Sequence, residues 1–169
     1  MREGLTTFPS KYLATSRDRG SPHLCPGGDG VLDPDDLYKE GAAHYSSGSF
    51  EEAARSLEMA IEADPLFVEA RYLFGEALRK AARYQEAVES YDAALDLKPD
   101  HPRCWRGRAV ALNELARHEE ALNSAARSLE LDPGDPRSWI VRGYAFHSLG
   151  RFAEAAESYD RAIEIDPLG

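Results

Sequence analysis

The sequence predicts an all-α solenoid built from four helix–turn–helix repeats of 34 residues each. The first observation is a proline that recurs every 34 residues and each time closes a short acidic and apolar stretch, at Pro65, Pro99, Pro133 and Pro167. The second observation is that small and apolar residues recur in the same phase between these prolines. A fixed period of about 20–50 residues is typical of an array in which each unit packs only on its neighbours.

The N-terminal segment differs in composition from the rest of the chain. Residues 1–33 include few apolar side chains, show no period and contain several prolines and glycines. Such a segment cannot bury enough apolar surface to offset the entropy lost when it is ordered. We therefore expect a flexible N-terminal tail, with residues 8–13 as an alternative segment that docks on the folded part.

The first repeat predicts two amphipathic helices, named helix A and helix B in every repeat. Helix A is expected from Pro34 to Ser47, because Asp33 can cap it and proline suits the first helical position. Helix B is expected from Phe50 to Ala63, where apolar residues follow the i, i+3, i+4, i+7 spacing of one helix face. The same division along the chain gives repeats at 34–67, 68–101, 102–135 and 136–169.

The turn between helix A and helix B falls at one position of each repeat. Gly48 and Gly150 hold this position in the first and fourth repeats, where glycine lets a helix end in a left-handed conformation. Ala82 and Ala116 hold it in the second and third repeats without that freedom. We expect the same turn in all four repeats.

Small residues mark the place where the two helices of a repeat approach each other closely. The eighth position of the repeats holds Gly41, Gly75, Ala109 and Gly143. The other side of that close approach is the twentieth position, in helix B, which holds Ala53, Ala87, Ala121 and Ala155. Larger residues fill the remaining core positions, and one of these positions holds Leu57, Tyr91, Ala125 and Tyr159.

These features resemble the tetratricopeptide repeat family. The period, the small residues, the proline at position 32 and the aromatic residues Trp105 and Trp139 at position 4 all agree. The resemblance covers residues 34–169 and implies a right-handed superhelix in which helix A lines a concave groove. His118 and Ala125 thin the core of the third repeat, so we expect this repeat to be the least stable.

The resemblance also implies which side chains face the groove. The candidate binding residues are Tyr38, Tyr72, Arg103, Arg106, Asn113, Arg137 and Tyr144. Guanidinium groups pair with carboxylates through two parallel hydrogen bonds, so the arginines form a candidate anion site. We expect a protein–protein interaction adaptor whose groove binds an extended peptide with an acidic segment or a C-terminal carboxylate. The alternative is that these arginines are solvated or pair with neighbouring Glu and Asp.

One binding mode of the family is not expected. Chaperone-binding members carry a two-carboxylate clamp of Lys, Asn and Arg residues at fixed positions of three repeats. In each possible register this chain places one basic residue at those positions, Arg103 or Arg137. Classical binding of the acidic tails of heat-shock chaperones is therefore rejected.

A second hypothesis is self-association through the fourth repeat. Arrays usually end in a helix with a polar outer face. Here the chain stops directly after helix B, so we expect part of the surface of Tyr159, Ile163 and Leu168 to remain open. Such an edge could pair with a copy of itself to give a homo-oligomer, or the chain could be a piece of a longer array.

The sequence does not predict an enzyme, a cofactor or a metal site. The five histidines are scattered, and none has a partner at the spacing of a metal motif such as HExxH. No nucleophile elbow, phosphate-binding loop or dinucleotide fingerprint occurs. Catalytic, cofactor-binding and metal-binding residues are therefore all expected to be absent.

Charge, hydropathy and cysteine content limit the possible partners and the cellular compartment. The net charge of −10 disfavours general binding of nucleic acid or anionic membranes, which needs a basic surface. No apolar run approaches the roughly 18–20 residues of a membrane helix, and the N-terminus has no apolar core of a secretory signal. The two cysteines, Cys25 and Cys104, do not form a disulfide framework, so we expect a cytoplasmic protein with Cys104 partly buried.

Overall fold

The computed structural model describes residues 33–168, which form eight α-helices in four helix–turn–helix pairs. The helices are α1 Pro34–Ser46, α2 Phe50–Ala63, α3 Val68–Lys80, α4 Tyr84–Leu97, α5 Pro102–Glu114, α6 His118–Leu131, α7 Pro136–Ser148 and α8 Phe152–Ile165. Odd-numbered helices are the predicted helix A and even-numbered helices the predicted helix B. The first differs by one residue, since Ser47 is its C-cap. The predicted tail, apart from Asp33, lies outside the described residues.

The helices stack into a solenoid. Each helix A packs on helix B of its own repeat, and α2, α4 and α6 also pack on helix A of the following repeat. Contacts between α1 and α3, α3 and α5, and α5 and α7 place the A helices side by side. The predicted all-α repeat architecture is therefore confirmed, and the row of A helices forms one face, called the helix-A face below.

Three of the four A helices, α1, α5 and α7, begin at side-chain caps. Asp33 accepts a hydrogen bond from the backbone N–H of Asp35 at 3.0 Å, and Asp135 accepts one from Arg137 at 3.2 Å. In the third repeat His101 takes this role, because its Nδ1 accepts from the backbone N–H of Cys104 at 3.2 Å. Each of these caps precedes a proline at the start of the helix, as expected for a position whose N–H needs no helical partner.

Cys104 is completely buried, so the prediction that it is partly buried is wrong. It occupies the third position of α5, and the residues at the same position of α3 and α7, Ala70 and Ser138, are buried as well. This position therefore faces the core in three successive repeats. Burial raises the pKa of the Cys104 thiol to about 12.

Glycine at the eighth position permits the close helix pairs. A Cβ atom on Gly41 would lie 2.6 Å from Leu57 Cγ, and one on Gly143 would lie 2.6 Å from Tyr159 Cε1. In the third repeat helix A has the larger residue, because Ala109 replaces glycine. Helix B has the smaller one, because Ala125 replaces leucine or tyrosine, and both alanines are completely buried. The small residues predicted at this position are thus explained by contact, while the low stability predicted for the third repeat stays a prediction.

The turn between the helices is left-handed in all four repeats. The φ angles are +82° at Gly48 and +73° at Gly150, and they are +60° at Ala82 and +58° at Ala116. A left-handed conformation costs an L-residue with a Cβ atom roughly 1–2 kcal/mol. The two alanine turns are therefore strained, while the two glycine turns are not.

Replacing either Ala82 or Ala116 by glycine is expected to stabilise the protein. The gain should be about 0.5–1 kcal/mol for each substitution, because relief of the left-handed strain is partly cancelled by the greater freedom of glycine in the unfolded chain. Urea denaturation followed by circular dichroism measures it. Ala43→Gly, at an exposed position inside α1, is the control and should lower stability by about 1 kcal/mol. A loss of stability in Ala82→Gly would contradict the prediction.

Candidate functional site

The helix-A face carries a recess of about 200 Å³. Its lining comes from α3, α5 and α7 alone and consists of Glu76, Arg79, Arg106, Gly107, Val110, Arg137 and Val141. Of the seven predicted groove residues, Arg106 and Arg137 line this recess. Three arginines and one glutamate thus give a locally basic site in an acidic chain.

A mostly buried glutamate, Glu76, forms part of the lining of the recess. Glu76 accepts a hydrogen bond from the Tyr91 hydroxyl at 2.5 Å and pairs with Arg79, whose Nη2 lies 2.7 Å from Glu76 Oε2. Burial alone would raise the pKa of the Glu76 carboxyl, but the hydrogen bond and charge of Arg79 and the Tyr91 hydroxyl lower it overall. Burial and the adjacent Glu76 raise the pKa of Tyr91 well above its ordinary value. Glu76 and Arg79 therefore form a fixed ion pair beside a neutral tyrosine.

Tyr91 reaches this ion pair from helix B of the second repeat. Its ring is completely buried, and a Cβ atom on Gly75 would lie 2.7 Å from its Cε1. A Cβ atom on Gly107 would lie 2.6 Å from its Cζ. Because Gly107 belongs to the third repeat, the Tyr91 ring packs against both the second and the third repeat. Position 6 carries a side chain in each of the other repeats, in Lys39, Leu73 and Val141.

The predicted arginines have different environments. Arg106 of α5 is paired with Asp135, the N-cap residue of α7, with 2.5 Å between Nη1 and Oδ2 and both side chains mostly buried. Arg103 lies over the ring of Tyr72, 5.1 Å from the centroid, and both Arg103 and Arg137 are exposed. Within residues 33–168 neither of these two guanidinium groups has a carboxylate partner. The alternative of neighbour pairing therefore applies to Arg106 and not to Arg103 or Arg137.

The remaining predicted residues are spread along the helix-A face. The half-buried ring of Tyr38 packs on Phe67, with 5.1 Å between centroids, and exposed Tyr144 lies in the fourth repeat. Asn113 is buried and donates a hydrogen bond to the backbone carbonyl of Val141 at 3.2 Å. Asn113 thus links α5 to α7, and its amide is not an open donor of the groove.

The match to a known family follows the repeats. The family described as Tetratricopeptide repeat matches residues 38–102, 72–136 and 106–169. This chain belongs to the tetratricopeptide repeat family. The resemblance seen in the sequence is thereby confirmed. Membership of this family, together with the solenoid fold, supports a role as a protein–protein interaction scaffold.

Solved structures similar to this tetratricopeptide repeat protein include several of MamA. A crystal structure of MamA is 22% identical, with a TM-score of 0.74 over 79% of this chain and 78% of that chain. MamA 41-end from Desulfovibrio magneticus RS-1 is 21% identical, with a TM-score of 0.75 over 80% of this chain and 76% of that chain. At this level of identity the likeness shows a shared fold. Among curated proteins, none is significantly similar in sequence.

The described part of this tetratricopeptide repeat protein shows neither a membrane-spanning helix nor a cluster of metal-ligating side chains. Within residues 33–168 no helix combines the length and the apolar character needed to cross a bilayer. Over the same residues the His, Cys, Asp and Glu side chains form no group of three that could hold a metal ion. The candidate site is the recess on the helix-A face, whose polar lining consists of three arginines and one glutamate.

Proposed function

We propose that the helix-A face binds an extended segment of a partner protein and holds its carboxylates over Arg103 and Arg137. The observation that carries this proposal is that both guanidinium groups are exposed and lack a carboxylate partner within residues 33–168. Most other arginines between residues 33 and 168 are ion-paired. Unpaired arginines on successive repeats are suited to an anionic partner.

The surroundings of these arginines favour a peptide rather than a small anion. The guanidinium group of Arg103 packs on the ring of Tyr72, and exposed Tyr144 adds an aromatic ring in the fourth repeat. Tyrosine rings give large contact areas at little cost in side-chain entropy. Arg106 is not part of the proposed anion site, because its pairing with Asp135 already occupies it. The proposed role is non-catalytic and needs no cofactor.

Selection of peptides from a random display library tests the proposal. We expect acidic sequences to be enriched, and a selected peptide to bind the double variant Arg103→Gln, Arg137→Gln at least tenfold more weakly in fluorescence anisotropy. Loss of two charge-assisted hydrogen bonds of about 1.5–3 kcal/mol each would produce at least this effect.

The matched control is the double variant Arg55→Gln, Arg127→Gln. These arginines are exposed and lie on α2 and α6, away from the helix-A face, where each pairs with a glutamate three residues away. Its affinity should equal that of the natural protein. Equal binding by both double variants, or a selection without acidic enrichment, would show that the two arginines do not form the site.

Self-association through α8 is a second candidate function. Ile163 is 60% exposed, whereas Leu95 and Leu129, at the same position of earlier repeats, are buried. A copy of the chain could cover this apolar face. Sedimentation equilibrium should then show a mass that rises with concentration and a monomer for Ile163→Glu. A constant monomer mass at high concentration would contradict this candidate.

A further inference from the structure

A second recess lies between α6 and α7, and none of its lining residues belongs to the recess on the helix-A face. It has a volume of about 470 Å³ and is called the α6–α7 recess below. Leu122, Ala126 and Leu129 of α6 form one side of it. Trp139, Arg142 and Phe146 of α7 form the other.

The preceding repeat junction shows what is missing here. Between α4 and α5, Arg108 pairs with Asp92, with 2.6 Å between Nε and Oδ1. Arg142 stands at the position of Arg108 one repeat later, and Ala126 stands at the position of Asp92. The arginine of the junction is thus kept while its carboxylate is absent. The other repeats hold Glu58 and Asp160 at this position, so Ala126 is the one residue of the four without a carboxylate.

The guanidinium group of Arg142 is held in place by two aromatic rings. Its Cζ lies 5.2 Å from the ring centroid of Trp139 and 5.2 Å from that of Phe146. Within residues 33–168 it forms no ion pair. Stacking on aromatic rings uses the flat faces of a guanidinium and leaves its N–H edges for hydrogen bonds.

The other charges around the α6–α7 recess are balanced. Arg151 pairs with Glu154, and Glu130 pairs with Arg127. Glu119 acts on Arg151, whose pKa it helps to raise. Arg142 is therefore the lining cation that forms no ion pair with a described carboxylate, although its charge is a minor cause of the lowered pKa of Glu154, after the hydrogen bond and charge of Arg151. The apolar side chains of Leu122 and Leu129 line the same recess.

We propose that the α6–α7 recess binds an aspartate or glutamate side chain of a partner protein that is flanked by apolar residues. The carboxylate would accept hydrogen bonds from Arg142, as Asp92 does from Arg108 within the chain. The flanking apolar residues would cover Leu122, Leu129 and the edge of Trp139. Because the aromatic rings already fix Arg142, little side-chain entropy is lost on binding.

The two tryptophans of the chain provide a direct test by NMR of their indole N–H groups. Trp139 lines the α6–α7 recess, whereas Trp105 holds the same position of the third repeat and lies outside it. The probes are the peptides acetyl-Leu-Asp-Leu-amide and acetyl-Leu-Asn-Leu-amide. We expect the aspartate peptide to shift the Trp139 resonance in a saturable way, at least tenfold more tightly than the asparagine peptide, and to leave Trp105 unchanged.

Two variants connect the resonance shift to the missing carboxylate. Ala126→Asp should supply the carboxylate from within the chain and abolish the shift, while Ala126→Ser, equally small and neutral, should keep it. Ala126 is exposed, so both variants should fold. Arg142→Gln should also lose the shift, and Arg55→Gln, on α2 outside the recess, should retain it.

Several results would overturn the proposal. Equal shifts with both peptides, or a shift that survives Ala126→Asp, would show that Arg142 does not recognise a carboxylate. A Trp139 resonance that moves with protein concentration alone would show that a second copy of the chain covers the recess. Ala126→Asp should leave peptide binding on the helix-A face unchanged, so this proposal and the proposed function fail separately.

Discussion

Tyr91→Ala is expected to lower the free energy of unfolding by about 3–5 kcal/mol, the cost of truncating a large buried aromatic side chain. The ring is completely buried and contacts the backbone region of two repeats at Gly75 and Gly107. Its removal would also take the hydroxyl donor from the mostly buried carboxylate of Glu76. Urea denaturation followed by circular dichroism measures the change.

Two further substitutions separate the contributions of Tyr91. Tyr91→Phe keeps the ring and removes only the hydroxyl, so its cost should be about 1–2 kcal/mol, since Glu76 still pairs with Arg79. Tyr144→Ala, on an exposed tyrosine, should change stability by no more than about 0.5 kcal/mol. If Tyr91→Ala cost as little as Tyr144→Ala, the ring would not hold the two repeats together.

Gly107→Ala should destabilise the protein by about 2–3 kcal/mol, because it adds a methyl group to a fully packed site. The new Cβ atom would lie 2.6 Å from Tyr91 Cζ and 2.7 Å from its hydroxyl oxygen. The buried ring cannot swing into solvent to avoid this contact. Gly134→Ala is the control, since the nearest atom to its Cβ would be 3.6 Å away, and thermal unfolding of both variants gives the comparison.

The clash is expected to be relieved by a shorter residue at position 91. In the first repeat Leu57 holds the corresponding position. Combining Gly107→Ala with Tyr91→Leu should therefore cost at least about 1 kcal/mol less than the sum of the two single substitutions. Additive costs would indicate that the methyl group acts through the backbone of α5 rather than through the ring.

The fold could be predicted because its determinants are local and repeated four times. The prolines, the residues at the turns and the small residues at the eighth position each report on a few neighbouring positions of one repeat. Gly48 and Gly150 predicted the left-handed turns, and the structure adds that Ala82 and Ala116 adopt the same conformation. Because the same pattern occurs in four successive repeats with one period, it predicts a solenoid and few other architectures.

The candidate site was less predictable because its contacts join side chains that are distant in the sequence. The pairing of Arg106 with Asp135 joins residues 29 positions apart, and no local pattern indicates which neighbouring acid an arginine will choose. Two signals were nevertheless present in the sequence. Gly107 is the one residue without a side chain at position 6, and Ala126 is the one residue without a carboxylate at position 25.

The contact of Tyr91 with Gly107 sets the order in which the array should lose its structure. In a linear array, stability depends on each repeat and on its coupling to its neighbours. The junction of the second and third repeats has both this ring and the Asp92–Arg108 pair, while the junction that follows lacks the pair. Opening should therefore begin in the fourth repeat, and amide hydrogen exchange should be slowest in α4 and α5. A third repeat with a thin core would then be protected by the neighbour that precedes it.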